Sequence, residues 1–586
     1  MRNEGVGSWA TRRARMSPNR VALVHGDREW TYAAVADRAN RAAHALRGLG
    51  VRPGDRVGYL GPNHPTFLEA FFGTGQLGAV FVPLNLRLTA PELAYILADC
   101  GVDVLLYAPG QSSVVAALRD LVALRHTVAL EPGGDDPDYA TLLGRAGSEP
   151  LDEPVPLDGT CVVLYTSGTT GRPKGVRLSH GNLAWNSFNV LIDVDLAADE
   201  VTLVTAPMFH VAALNQTVLP TFLKGGRSVL VPAFDPSAAL ELIGRHRVTF
   251  MFGVPSMFAA IAAAPGWADA DLSSVRSMIC GGAPVPEPLI RTYQRRGLTF
   301  MQGYGMTETS PGALFLRAAD SADHAGSAGT PVFFSDVRLR DAAGGEVPPG
   351  VHGEIVVHGP NVMAGYWGRA AETAEVLSPD GWFRSGDLAI VDPDGYFHIR
   401  DRVGDMFISG GENVYPAEVE EALYQHPAVA ECAVIGVDDD RWGEVGRAVV
   451  VLRSGSTVDP AELLASLDGR IARYKIPKSV VFVDVLPRTG SGKVRKSQLR
   501  RAHSTAGDAA GPAWWRTGRP PEQPAPAAAD PDPDPETAAT RTATVPAPAP
   551  DAVPAPTAAP VATPTPTAVP APASGGTAEI SRPDPG

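Results

Sequence analysis

Apolar residues recur at helical spacing in "TYAAVADRANRAAHALRGLG", where Val35, Ala39, Ala42 and Leu46 make one stripe. Thr31 precedes the stripe as a natural N-cap and glycines end it, so a helix is expected there. "DRVGYLG" and "AVFVPLN" are apolar runs of strand length, and "HPTFLEAFFGTGQLG" between them reads as a helix. Strand, helix and strand in that order imply a parallel sheet covered by helices. The rhythm returns in "EVTLVTAP", "DPSAALELIGRHR" and "VTFMFGVP", with Pro236 in the first helical turn.

The pattern changes scale after about residue 400. "YPAEVEEALYQHPAV" reads as a helix, "ECAVIGV" and "GRAVVVL" as strands, and "DPAELLASLDGRIARY" as a further helix. That is a compact α+β unit of roughly 100 residues, an ordinary domain size. From Ser504 the chain turns to Pro, Ala and Thr, without Leu, Phe or Met. Such a segment buries too little apolar area to offset its ordering entropy, and disorder is expected. The expected fold class is α/β, with a large N-terminal domain over residues 1–402, a small α+β domain over 403–503 and a tail over 504–586.

Composition narrows the function. A chain of 586 residues is too long for one core, and 44% hydrophobic with 19% charged residues is ordinary for a soluble protein. A formal net charge of −14 argues against bulk nucleic-acid binding. Four scattered cysteines without a CxxC pair suit free thiols in a reducing cytoplasm. The N-terminus lacks the apolar run of a signal peptide, and no membrane span is expected. Arg2, Arg12, Arg13 and Arg15 leave peripheral contact with an anionic surface open, but a solvated first helix is the simpler expectation.

Against that background one stretch stands out. "YTSGTTGRPKG" follows the apolar run "CVVL" and holds Thr166, Ser167, Gly168, Thr169, Thr170, Gly171 and Lys174. Hydroxyls, glycine amides and one cation at the end of a strand suit a polyanion. The spacing is not that of a P-loop, because Pro173 and Gly175 fall where Gly and Ser/Thr belong. "QGYGMTETS" brings Gly303, Tyr304, Thr307 and Glu308 together: an aromatic for a flat base, a hydroxyl for phosphate, a carboxylate for Mg²⁺. "CGGAP" contains Gly281, Gly282 and Ala283, where backbone can approach a ring closely. "GWFRSGDLA" presents Asp387, "RDRVGDMFISGGENVYPAEVE" Arg402 and the Gly410–Gly411 pair, and "LPRTGSGKVRKSQLR" Lys493.

In this order the motifs resemble those of the adenylate-forming superfamily of acyl-CoA synthetases, luciferases and peptide-synthetase adenylation domains. Residues 8 to 503 carry the resemblance, and the chain looks most like a bacterial fatty acyl-CoA synthetase. The resemblance implies packed subdomains in the large domain, a mobile small domain and two half-reactions. A carboxylate and Mg-ATP give acyl-adenylate and pyrophosphate; coenzyme A then displaces AMP. It implies that Thr166, Ser167, Gly168, Thr169, Thr170, Gly171 and Lys174 hold the β- and γ-phosphates. Thr307 then meets the α-phosphate and Glu308 carries Mg²⁺. Tyr304, Gly303 and the Gly281–Gly282–Ala283 backbone flank adenine, and Asp387 and Arg402 hold ribose. Lys493 bridges carboxylate and α-phosphate in the first step. Rotation of the small domain then brings Gly410 and Gly411 to a pantetheine tunnel. One departure is Gly404, where the family usually has Lys or Asp two residues after the arginine.

"PMFHVAALN" places His210 where amino-acid-activating relatives carry an Asp, which suits an uncharged acyl group. A medium- or long-chain fatty acid is the first expectation, with an aryl acid behind it. A ligase that hands acyl-adenylate to a carrier protein shares the ATP site, but no restraining insertion is visible. A non-catalytic nucleotide-binding scaffold would need neither Glu308 nor Lys493. The sequence leaves the oligomeric state open.

Overall fold

The computed structural model describes residues 2–166, 173–283, 285–402, 405–409, 412–439, 442–468, 470–471, 473–489 and 492–503, with backbone alone at 401, 402, 408, 412 and 413. Ser167, Gly168, Thr169, Thr170, Gly171, Gly404, Gly410, Gly411 and the tail from 504 lie outside the described residues.

The fold is mixed α/β, with a large body before residue 400 and a smaller unit after it. The expected βαβ units are present. Arg56–Leu60 and Val80–Pro83 pair in parallel, joined by the buried Pro65–Gln76 helix. They belong to a seven-stranded sheet that also holds Thr160–Thr166 and Lys174–Ser179. A nine-stranded sheet contains Val201–Val204, Phe250–Gly253, Ser277–Gly281 and Phe300–Gly305, side by side and parallel. The helix at Tyr32–Gly48 starts as expected, with the Thr31 hydroxyl accepting from Ala34 N–H at 3.2 Å. A four-stranded antiparallel sheet, Asp336–Arg340 to Phe397–Arg402, ends the large body.

One apolar cluster runs through the large body, from Val6 to Phe397, with a second under the Ala90–Cys100 helix. The small unit has its own clusters, around Phe407, Val434 and Leu463 and around Ile435, Val449 and Leu499. Neighbours along the strands, such as Val434 and Ile435, fall in different clusters because strand side chains alternate faces. At the seam the rings of His352 and Tyr415 stack, 4.5 Å apart and 8° from parallel.

Two expectations need correction. The helix expected across "DPAELLASLDGRIARY" covers only Pro460–Ala465. The Ser466 hydroxyl donates to the Leu463 carbonyl at 2.6 Å, and such local side-chain bonding competes with a further turn. The N-terminal helix, Trp9–Met16, is not a solvated one: Trp9 and Ala10 are buried. Arg12 donates to Ser8 and to the Asn3 carbonyl, and Arg13 to the Lys224 carbonyl. Among the described residues no helix is long and apolar enough to cross a membrane.

Candidate active site

The two ends of the hydroxyl- and glycine-rich loop meet, because Thr166 pairs with Lys174 across antiparallel strands. Lys174 Nζ lies 2.5 Å from Glu372 and 5.4 Å from the centre of the Tyr366 ring. Tyr366 donates its hydroxyl to Glu308 Oε1 at 3.0 Å. Burial first, then the charge of Glu308, pushes the Tyr366 hydroxyl well above the usual phenol range. Lys174 and Glu308, far apart in the chain, therefore share one aromatic neighbour. Tyr366 reaches it from a two-residue strand, Gly365–Tyr366, paired with Lys174–Ser179.

Thr307 and Glu308 sit on a single turn, Thr307–Thr309, after the Phe300–Gly305 strand. Side-chain amides brace that turn. Asn361 Nδ2 donates to the carbonyls of Thr309 at 2.9 Å and Gly312 at 2.6 Å, and Asn215 Nδ2 donates to Ser310 at 2.6 Å. Met363 N–H donates to the Glu308 carbonyl at 2.8 Å. A Cβ on Gly305 would lie 1.7 Å from the Pro311 carbonyl oxygen, so no larger residue fits.

Tyr304 donates its hydroxyl to Asp387 Oδ2 at 2.8 Å, and Asp387 is buried. Asp387 stands opposite Arg402 in the antiparallel register, so the two expected ribose residues share one rung. Gly282 has φ +81°, and a Cβ there would lie 3.6 Å from Val254 Cγ1. A Cβ on Gly492 would lie 3.9 Å from Val254 Cγ2. The turn carrying Lys493 thus packs on the same valine as the Gly281–Gly282–Ala283 segment. Thr489 N–H donates to the Lys493 carbonyl at 2.7 Å, which closes that turn.

His210 lies in a loop pinned by Asn63. Asn63 Nδ2 donates to the Ala206 carbonyl at 2.9 Å and its Oδ1 accepts from Met208 N–H at 2.8 Å. A wide helical segment, Ala213–Val218, follows with π-type turns, a geometry frequent at functional sites. Beside it is a cleft of about 520 Å³, its open mouth included. Gly282, Gly303, Gly305 and Gly312 line it, so one wall is largely backbone. Tyr304 and Phe252 supply rings, and Asn186, Asn189, Asp193 and Gln216 are among its polar members. Cys280, next to Gly281, is fully buried, and burial drives its thiol far above the usual range, so it is no nucleophile.

The structure thus gathers Thr166, Lys174, Thr307 and Glu308 at one end, and Gly282, Gly303, Tyr304 and Asp387 at the other. Sequence reasoning missed Tyr366, Glu372, Asn361, Asn215, Asn189 and Gln216. Among the described residues no group of three or more His, Cys, Asp or Glu is arranged for a metal. A hard cation on Glu308 would complete its shell with phosphate oxygens and water, as Mg²⁺ commonly does.

Residues 10–367 match the AMP-binding enzyme family and residues 418–493 match the AMP-binding enzyme C-terminal domain. The chain belongs to this family and is an enzyme of the acid–thiol ligase class, as the motif order implied. It is 58% identical over 501 residues to a feruloyl-CoA synthase of Amycolatopsis, covering 86% of this chain and 99% of that protein. An indoleacetate–CoA ligase of Aromatoleum aromaticum is 44% identical, covering 85% and 98%. A long-chain-fatty-acid–CoA ligase of Mycobacterium tuberculosis is 38% identical, covering 86% and 99%. The crystal structure of an anthranilate CoA ligase in complex with anthranoyl-AMP superposes with a TM-score of 0.81 at 29% identity, covering 86% of this chain and 98% of that one.

Proposed function

We propose that the protein joins an aryl acid to coenzyme A through an acyl-adenylate. The observation that carries this reading is the cleft beside Tyr304: glycine backbone and the aromatic residues Phe252, Tyr304 and Phe315 line one space, which suits a flat ring better than a flexible chain. Relatives named for ferulate and indoleacetate point the same way. The fatty-acid expectation finds support only in a relative of lower identity, so the aryl-acid alternative is preferred.

In the first half-reaction a carboxylate oxygen of the acid attacks the α-phosphorus of ATP, and the bond to pyrophosphate breaks. Charge builds on the phosphoryl oxygens, and preorganised donors lower the barrier. Lys493 sits between carboxylate and α-phosphate, Thr307 donates to the α-phosphate, and His210 faces the carboxyl end of the acid. Lys174 exchanges Glu372 for the β- and γ-phosphates, together with Thr166 and residues 167–171. Tyr304 stacks on adenine, held upright by Asp387, which with Arg402 holds ribose. Glu308 would hold Mg²⁺, which neutralises phosphate charge when bound. In the second half-reaction the thiol of coenzyme A attacks the acyl carbon and AMP leaves. For this step we assign residues 403–503 as a rotating domain that withdraws Lys493 and presents Gly410 and Gly411 to pantetheine.

The test is AMP release and thioester formation with Mg-ATP, with and without coenzyme A. The acids are 4-hydroxy-3-methoxycinnamate, indole-3-acetate, octanoate and palmitate. Thioester from the aryl acids at a kcat/KM at least tenfold above the alkyl acids is expected. Palmitate turned over as well as the aryl acids overturns the reading, and AMP release without thioester overturns coenzyme A as acceptor.

A further inference from the structure

Resting on the aryl-acid reading, we propose that Gln216 and Asn189 form a subsite for an oxygen substituent on the ring. The ligand is an aryl acid bearing a hydroxyl or alkoxy group away from its carboxyl end. Both residues line the cleft, and both are buried, at 7% and 1% exposure. Their hydrogen-bonding is incomplete in a specific way. Asn189 Oδ1 accepts from Phe334 N–H at 2.8 Å, which fixes the amide's orientation and leaves Nδ2, a sealed donor, without a partner. The Gln216 side chain makes no hydrogen bond among the described residues, and it lines the cleft.

The neighbouring polar groups of the cleft are satisfied to different degrees. Asn186 lines the same cleft with both amide atoms used: Nδ2 donates to the Asn215 carbonyl and Oδ1 accepts from Gly312 N–H. Asp193, one helical turn from Asn189, is held through Oδ1 by Arg317 at 2.7 Å, while its Oδ2 is buried without a partner. Arg317 therefore balances the carboxylate charge, and the subsite calls for a neutral ligand group. Gln216 reaches the cleft from the π-type segment Ala213–Val218, where the widened turn shifts the side-chain register of an ordinary helix. An unpaired buried amide costs stability unless a ligand supplies its partner. A ring oxygen supplies it; an alkyl chain or an unsubstituted ring leaves the amides unpaired.

A binding site built to hydrogen-bond a substrate oxygen discriminates against the analogue that lacks it. The test compares kcat/KM for 4-hydroxy-3-methoxycinnamate, 4-hydroxycinnamate and unsubstituted cinnamate in the full-length wild type, Gln216→Leu and Gln216→Met. In the wild type the hydroxylated acids are expected to exceed cinnamate by at least tenfold. In both variants that ratio is expected to fall by about tenfold, the worth of one hydrogen bond, with the loss carried mainly by KM. Two variants of different shape guard against misfolding, and turnover of cinnamate reports an intact site in each. A ratio unchanged in either variant that turns over cinnamate overturns the subsite while leaving the aryl-acid reading standing. A wild type that makes no aryl thioester overturns that reading instead.

Discussion

The two ends of the site follow opposite plans. At the phosphate end the charged groups are already paired: Lys174 with Glu372 and Glu308 with Tyr366. At the acyl end Asn189 Nδ2 and Asp193 Oδ2 are buried without partners, and the Gln216 side chain makes no hydrogen bond among the described residues. Nucleotide binding is therefore an exchange, and its net gain is the difference between new contacts and those given up. Acid binding at the far end of the cleft breaks no such pair within the protein, so a matching oxygen is favoured and a mismatch penalised more directly. Discrimination belongs to the acyl end, charge handling to the other.

Lys493→Ala gives the sharpest break. It is expected to slow pyrophosphate–ATP exchange by roughly 10²–10³ while sparing thioester formation from preformed acyl-adenylate. Equal losses in both assays would deny the lysine its place in the first step alone. Next in size is Asn361→Ala, which strips donors from two carbonyls around the Thr307–Thr309 turn. Two hydrogen bonds at about 1 kcal/mol each predict a loss of roughly 2 kcal/mol in urea unfolding, with kcat lowered as well. An unchanged midpoint would show that the turn holds without its amide brace. Tyr304→Phe removes one hydrogen bond to Asp387 and is expected to raise the KM for ATP by about tenfold. A change confined to the KM for the acid would place Tyr304 wholly in the cleft. Glu372→Gln is the mildest. It removes the charge Lys174 must leave, a partly exposed pair worth at most about 1 kcal/mol, so the KM for ATP should fall by a few-fold. A rise would show that Glu372 positions the lysine and does not compete with phosphate.

Most of the frame was legible in local pattern. The stripe from Val35 to Leu46, the "CVVL" strand and the βαβ order all have signals of period 3.6 or short apolar runs, and each stands as expected. Motif order likewise pointed to Lys174, Tyr304, Glu308 and Asp387, which the structure gathers. The braces were not legible. Asn361, Asn215 and Asn63 act by donating to carbonyls on loops distant in sequence, and a lone asparagine carries no mark of that. Tyr366 was hidden for a related reason, since a two-residue strand gives no periodicity. The shortened helix after Pro460 fails the pattern because one serine hydroxyl captures a carbonyl that periodicity assigns to the next turn.

Tyr304 belongs to both halves of the molecule's business, since its ring borders the cleft and its hydroxyl anchors Asp387, the carboxylate proposed to hold ribose. An acid too broad to leave that ring upright pulls the phenol off its anchor and loosens the sugar at the same stroke. Poor fit in one compartment is thereby felt as weak grip in the other, and a misshapen acid is turned away before any ATP is spent on it.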